Sequence, residues 1–165
     1  MKKFMKLKPL LLFLILFLIL NQISFSQSSP DKVVDVKVKV SKQASVNTPV
    51  DGELVLQIKD GWHINANKPL DENLSPTVVV FKDNPEVKIT KIIYPQPIIT
   101  KLQFSQSQMA LYEGDTIVKF QFVVNKGIKK RTLKIDGEVQ YQPCNNQTCL
   151  FPTSKPFSFE VKIKK

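Results

Sequence analysis

Val34, Val36, Val38 and Val40 alternate with Asp35, Lys37 and Lys39, and this two-residue period recurs along most of the chain. Successive side chains of a strand point to opposite faces, so the pattern describes a half-buried strand and not an apolar helix face. Leu54, Leu56 and Ile58 repeat it after Asp51-Gly52 and stop at Asp60-Gly61. Thr77 to Phe81 is a short β-branched run closed by Asp83-Asn84-Pro85, and Val87, Ile89 and Ile93 lead to Tyr94-Pro95-Gln96-Pro97. Val118, Phe120, Phe122 and Val124 precede the turn signal Asn125-Lys126-Gly127; Leu133, Ile135, Val139 and Tyr141 follow it, and Phe157, Phe159, Val161 and Ile163 close the series.

Seven strands separated by turn residues, with eleven prolines and no sustained helical period, predict an all-β fold. Their number and spacing are those of an immunoglobulin-like antiparallel β-sandwich. No repeat or linker divides the chain. The least regular stretch, Pro95 to Gly114, holds Gln103, Ser105, Gln106, Ser107 and Gln108 and reads as a long polar loop, which in a compact domain is functional or mobile.

The first 26 residues do not belong to that pattern. Lys2, Lys3, Lys6 and Lys8 precede an unbroken apolar run from Leu10 to Leu20, and Ser24-Phe25-Ser26 offers small residues for cleavage. This is the layout of a signal peptide, too short in its apolar part for a comfortable membrane span. The expected division is therefore a signal peptide over 1–26 and one domain over 27–165, exported to the periplasm or secreted, with no membrane span after cleavage. Loss of these four lysines lowers the formal net charge from +10 to +6 and leaves 139 of the 165 residues. A domain of that size builds a full core. Its charge sits on strand faces and in Lys129-Lys130-Arg131, without the clustered arginine and interleaved aromatics of a nucleic-acid surface, so no nucleic-acid partner is expected.

The concentrated chemistry is Cys144 and Cys149, within Tyr141-Gln142-Pro143-Cys144-Asn145-Asn146-Gln147-Thr148-Cys149-Leu150-Phe151-Pro152. Four intervening residues at a hairpin end put the two within bridging distance, and an oxidising compartment favours the bridge. A loop this small contributes only about 2 kcal/mol to stability in the loop-entropy model. Both cysteines follow Trp62 in the chain and are too close together to pin two sheets as in an antibody domain. The spacing is not Cys-x-x-Cys, and the four residues between are uncharged, so nothing in the sequence depresses a thiol pKa strongly. Such a pair suits an electron donor or relay, but spacing alone leaves a purely structural bridge equally open. Two cysteines and His63 do not make a zinc set, and neither metal nor cofactor is expected. Asn146-Gln147-Thr148 also fits a glycosylation sequon, which would cover the pair with sugar.

Three stretches together resemble the N-terminal periplasmic domain of the thiol:disulfide interchange protein DsbD: Ile58-Lys59-Asp60-Gly61-Trp62-His63-Ile64; the loop from Phe104 to Leu111-Tyr112-Glu113-Gly114; and Tyr141-Gln142-Pro143-Cys144 with Cys149 and Pro152. The resemblance runs from about Val34 to Ile163. It implies an immunoglobulin-like sandwich whose cysteine pair takes electrons from a thioredoxin-like domain and passes them to periplasmic partners, among them disulfide isomerases and cytochrome c maturation proteins.

By the same resemblance Cys149 forms the mixed disulfide, Cys144 resolves it, and Phe104 shields the pair until a partner displaces it. Phe104 reads equally as a core residue. Trp62, His63 and Tyr141 are candidate modulators; Trp62 reads first as a core side chain, and His63 could accept a proton from Cys149. The chain departs from the best-known members in having four rather than five residues between the cysteines, and Leu102 and Gln103 stand where those members carry acids. The expectation is a stand-alone module relaying electrons to or from thioredoxin-like partners, with a separate membrane electron carrier as its reductant. The alternative is a non-catalytic secreted binding domain with a structural disulfide.

Overall fold

The computed structural model describes residues 29–164; the signal-peptide reading of 1–26 lies outside them. Among the described residues the helical content is one 3-10 turn, Pro30–Lys32. Four long strands and their neighbours make two sheets. The first runs in the order β1 (Val34–Val40), β3 (Pro49–Ile58), β9 (Asp115–Val124), β6 (Val87–Ile93). The second runs β2 (Gln43–Ser45), β12 (Thr153–Lys164), β10 (Thr132–Tyr141), β5 (Val78–Phe81). Pairing is antiparallel except between β2 and β12. The result is an immunoglobulin-like β-sandwich, as the periodicity predicts.

The inward-facing alternate residues of the two sheets meet in a core that includes Leu54, Leu56, Phe120, Phe122, Leu133, Ile135, Phe157 and Phe159. Phe120 of one sheet lies 5.6 Å from Phe159 of the other, and Phe81 lies 5.2 Å from Phe120, centroid to centroid. Tilted aromatic pairs at this distance add about 0.5–1.5 kcal/mol each beyond the area they bury.

Asp51-Gly52, expected to precede a strand, lies inside one. β3 runs through it because Gly52 pairs with Phe120, whose ring covers the glycine: a Cβ there would meet Phe120 Cζ at 2.3 Å. Gly137 of β10 sits the same way under Phe157, at 2.5 Å. Both glycines are positions of close approach within strands.

The larger departure from expectation is a third sheet. Its order is β11 (Pro143–Cys144), β4 (His63–Asn65), β8 (Met109–Tyr112), β7 (Ile98–Thr100). The stretch read as a long polar loop is thus a hairpin, β7 to β8, and only residues 101–108 are its loop. β8 escaped the period-two reading because it is buried on both faces. Ala110 and Tyr112 join the sandwich core, whereas Met109 and Leu111 join a second cluster with Leu102 and Cys144. With no polar face there is no alternation to see.

Candidate redox site

β10 and β12 stay in register up to Tyr141 opposite Thr153, and the connection between them, residues 142–152, leaves the second sheet. Within it Pro143 and Cys144 pair with Ile64 and His63 of β4, which transfers the chain to the third sheet. A smaller hairpin follows. Asn145 N–H donates to the Thr148 carbonyl at 2.9 Å, and the Asn145 side-chain oxygen accepts from the Gln147 and Thr148 amides. This Asx-type turn needs a short side chain with an acceptor at its first position. It brings Cys149 opposite Cys144, and the two are joined in a disulfide.

The two sulfurs have different surroundings. Cys144 is fully buried among Leu102, Met109 and Leu111, with Leu74 and Cys149 at the edge of the cluster. Cys149 is partly exposed and lines a groove of about 600 Å³. Pro30, Trp62, Gln142 and Thr148 form part of its wall, and Phe151, 85% exposed, stands at its edge. Among the described residues, no charged side chain lines this groove.

A polar brace ties the hairpin to the rest of the sheet. Gln142 donates through Nε2 to the Leu150 carbonyl at 3.1 Å, and its Oε1 accepts from Ser75 N–H and from Asn65 Nδ2, both at 3.0 Å. Asn65 donates again to the Ser75 carbonyl at 3.1 Å, and Leu150 N–H reaches the Pro143 carbonyl at 2.8 Å. Asn65 Oδ1 lies 3.9 Å from Cys144 Sγ. A buried amide is tolerated because its donors are used.

The candidate modulators are distributed unevenly around the pair. His63 stands opposite Cys144 in the ladder, but its Nε2 lies 3.0 Å from Glu113 Oε2, and its buried Nδ1 has no partner among the described residues. Neither ring nitrogen bonds to a sulfur. Trp62 packs against the sandwich core and also walls the groove beside Cys149. Tyr141 is a core residue whose hydroxyl donates to the Pro30 carbonyl at 3.1 Å; burial pushes its phenol up to about 12. Phe104 is 42% exposed and stands outside the cluster that buries Cys144, whereas Leu102, two residues earlier, is 3% exposed and inside it.

Asn65, Gln142, Leu102 and Phe151 were not singled out by the sequence. Gln142 stood within the quoted cysteine motif, and its neighbour position was the available signal. In sequence Leu102 stands out only as an apolar residue where the resembling members carry an acid, and Asn65 is distant from both cysteines.

The model of the family described as "Thiol:disulfide interchange protein DsbD, N-terminal" matches residues 30–160. No curated protein sequence matches the chain. Among solved structures, the N-terminal periplasmic domain of ScsB from Proteus mirabilis superposes with a TM-score of 0.53 at 15% identity, covering 82% of this chain and 49% of that one. The present chain thus spans about half of that structure's length. A cohesin module of a Clostridium perfringens family 33 glycoside hydrolase gives a TM-score of 0.51 at 13% identity, over 79% of this chain and 96% of the module. At these identities the two structures share the sandwich fold and nothing narrower. With the family match spanning most of the chain and a closely spaced disulfide on the third sheet, the protein belongs to the DsbD N-terminal domain family of thiol–disulfide interchange modules.

Proposed function

We propose that this chain is an exported, periplasmic electron relay that exchanges its Cys144–Cys149 disulfide with thioredoxin-like partners. The observation that supports the reading best is the unequal exposure of the two sulfurs, Cys144 fully buried and Cys149 opening on a groove. Exchange requires in-line access of a thiolate to one sulfur. A partner thiolate attacks Cys149 Sγ, the disulfide opens, and Cys144 leaves as the thiolate and takes up a proton. The partner's second thiolate then attacks its own mixed-disulfide sulfur and releases Cys149, so two electrons have entered the pair. Run in reverse, the reduced pair delivers them to an oxidised partner, with a membrane electron carrier as the upstream donor.

The groove gives the partner its landing place. Trp62 and Phe151 supply apolar area beside Cys149, and the loop 101–108 covers the pair from the Cys144 side through Leu102. Phe104, exposed on that same loop, is the side chain that would shield the pair until a partner displaces it. The sandwich alone does not decide the function, because the cohesin module shares it.

The test is a trap. Purified protein carrying Cys144→Ser, lacking the signal peptide, is mixed with an oxidised thioredoxin-like protein and resolved without reductant. A mixed disulfide through Cys149 is the expected result. No adduct, together with a reduction potential below about −300 mV for the unaltered protein, would place the bridge among structural disulfides.

A further inference from the structure

The hydrogen bonds around Asn65 determine which way its amide points. The Leu150 carbonyl can only accept, so the Gln142 nitrogen must face it and Gln142 Oε1 must face the other way. That oxygen accepts from Ser75 N–H, a group that can only donate, which fixes the same orientation a second time. Asn65 must then turn its nitrogen toward Gln142 Oε1, and the second proton of that nitrogen goes to the Ser75 carbonyl. Both donors of Asn65 are thereby consumed. Its oxygen, an acceptor with no proton to give, is the atom left facing Cys144 Sγ at 3.9 Å.

We infer that Asn65, oriented by Gln142, is a positioning residue that holds Cys144 as a protonated thiol whenever the pair is reduced. The inference rests on the relay reading for its functional meaning. An acceptor beside a sulfur favours the S–H form, which can donate to it, over the thiolate, which cannot. Burial acts in the same direction, since Cys144 is fully buried with Leu102, Met109 and Leu111 packed around it. Charged and titratable groups on the segments packed against it are His63 on β4, Lys68, Asp71 and Glu72 in the connection that carries Leu74, Lys101 in the β7–β8 loop, Tyr112 on β8 and Glu113 just beyond it. His63 is paired with Glu113, Asp71 accepts from Asn73, the Tyr112 hydroxyl bonds to Asn67 and Pro95, and none of the seven bonds to a sulfur.

The consequence is a division of labour within the reduced pair. Cys149, which has no such acceptor among the described residues and borders solvent, ionises first and attacks the partner disulfide. A Cys149–partner mixed disulfide forms and one partner thiolate departs. Cys144 must then give up its proton, to that thiolate or to water, before it attacks Cys149 Sγ and expels the partner's second thiolate. The two electrons of the dithiol end on the partner, and the internal disulfide is restored. Because the second step waits on a reluctant proton, the mixed disulfide persists and releases its partner more slowly at lower pH.

The experiment titrates each thiol alone, by the 13Cβ shift of labelled cysteine, so that the two ionisations do not mix. Cys149→Ser leaves Cys144 as the reporter, and Cys144→Ser leaves Cys149. The expected pKa of Cys144 is at least one unit above that of Cys149, a tenfold difference in ionisation. Adding Asn65→Leu, which fills the same space without an acceptor or water, lowers the Cys144 value by about one unit and leaves Cys149 unchanged. Gln142→Leu, which frees the Asn65 amide to turn, shifts Cys144 in the same direction. Equal pKa values for the two thiols, or a gap that survives Asn65→Leu unaltered, would overturn the inference. The comparison of the two single-cysteine proteins needs no change in the brace, so it decides the first point even if Asn65→Leu fails to fold. No partner is involved, so failure here is distinct from failure of the trap.

Discussion

The two-sheet sandwich and the small third sheet are built on different principles. Each large sheet contains strands of ten or more residues, β3 and β9 in one and β10 and β12 in the other, and their inner faces are almost wholly apolar. The third sheet is made of strands of two to four residues. Its apolar cluster is Leu102, Met109, Leu111 and Cys144, and a buried asparagine and a half-buried glutamine hold it to the hairpin. Apolar contacts are additive and forgiving of small shifts, whereas hydrogen bonds fix direction. The stable part therefore carries the fold, and the part that must present one sulfur and hide the other is set by polar geometry.

Substitutions at the two places should separate these roles. Phe122 is fully buried between the sheets, and Phe122→Ala should cost about 3–5 kcal/mol in urea denaturation. Its effect on amide exchange should extend through both large sheets. Loss of protection confined to the third sheet would break the division drawn here. Leu111→Ala removes a fully buried side chain from the cysteine cluster and should cost about 2–3 kcal/mol. In the reduced protein it should also speed alkylation of Cys144 at least severalfold, a readout Phe122→Ala should leave largely unchanged while the protein stays folded.

Tyr141 lies where the sandwich meets the cysteine connection. Its phenol is raised from 10.0 to about 12 in the folded state, so the neutral form is favoured by folding. That contribution is complete below pH 10 and is lost as the pH rises toward 12. Tyr141→Phe should cost about 1 kcal/mol near neutral pH, from the lost bond to the Pro30 carbonyl. It should also flatten the alkaline fall in stability; an unchanged slope between pH 10 and 12 would remove Tyr141 as its cause.

The smallest change in stability is expected at Phe151. With its ring 85% exposed, Phe151→Ala should shift stability by less than about 0.5 kcal/mol. It should nevertheless slow reduction of the disulfide by a thioredoxin severalfold while reduction by dithiothreitol proceeds at the original rate. Equal slowing of both would mean that the ring acts on the disulfide itself and not on docking. Because no charge among the described residues lines the groove, the rate with thioredoxin should also change little between low and moderate salt.

Much of the sandwich was legible because its strands have one wet face. Val34 to Val40, Val118 to Val124 and Leu133 to Tyr141 announce themselves by alternation, and the structure places strands over all three. Gly52 misled because a glycine after aspartate signals a turn unless a neighbouring ring covers it, and Phe120 is a neighbour only after β3 and β9 pair. β8 was hidden because both its faces are buried, and β4 and β11 are too short for any period to show. Leu102 packs against Cys144 from the loop that also carries Phe104, and no spacing along the chain marks it for that place.

By itself the sequence determined an all-β sandwich and a cysteine pair close enough to bridge, since both depend on spacing along the chain. Which sulfur is buried, which side chains enclose it and which atom of Asn65 faces it were decided only by tertiary structure. These depend on bringing together residues 63–65, 75, 102, 109–111 and 142–150. A hydrogen bond has a direction, and none of its partners here can be named until the strands that carry them are side by side.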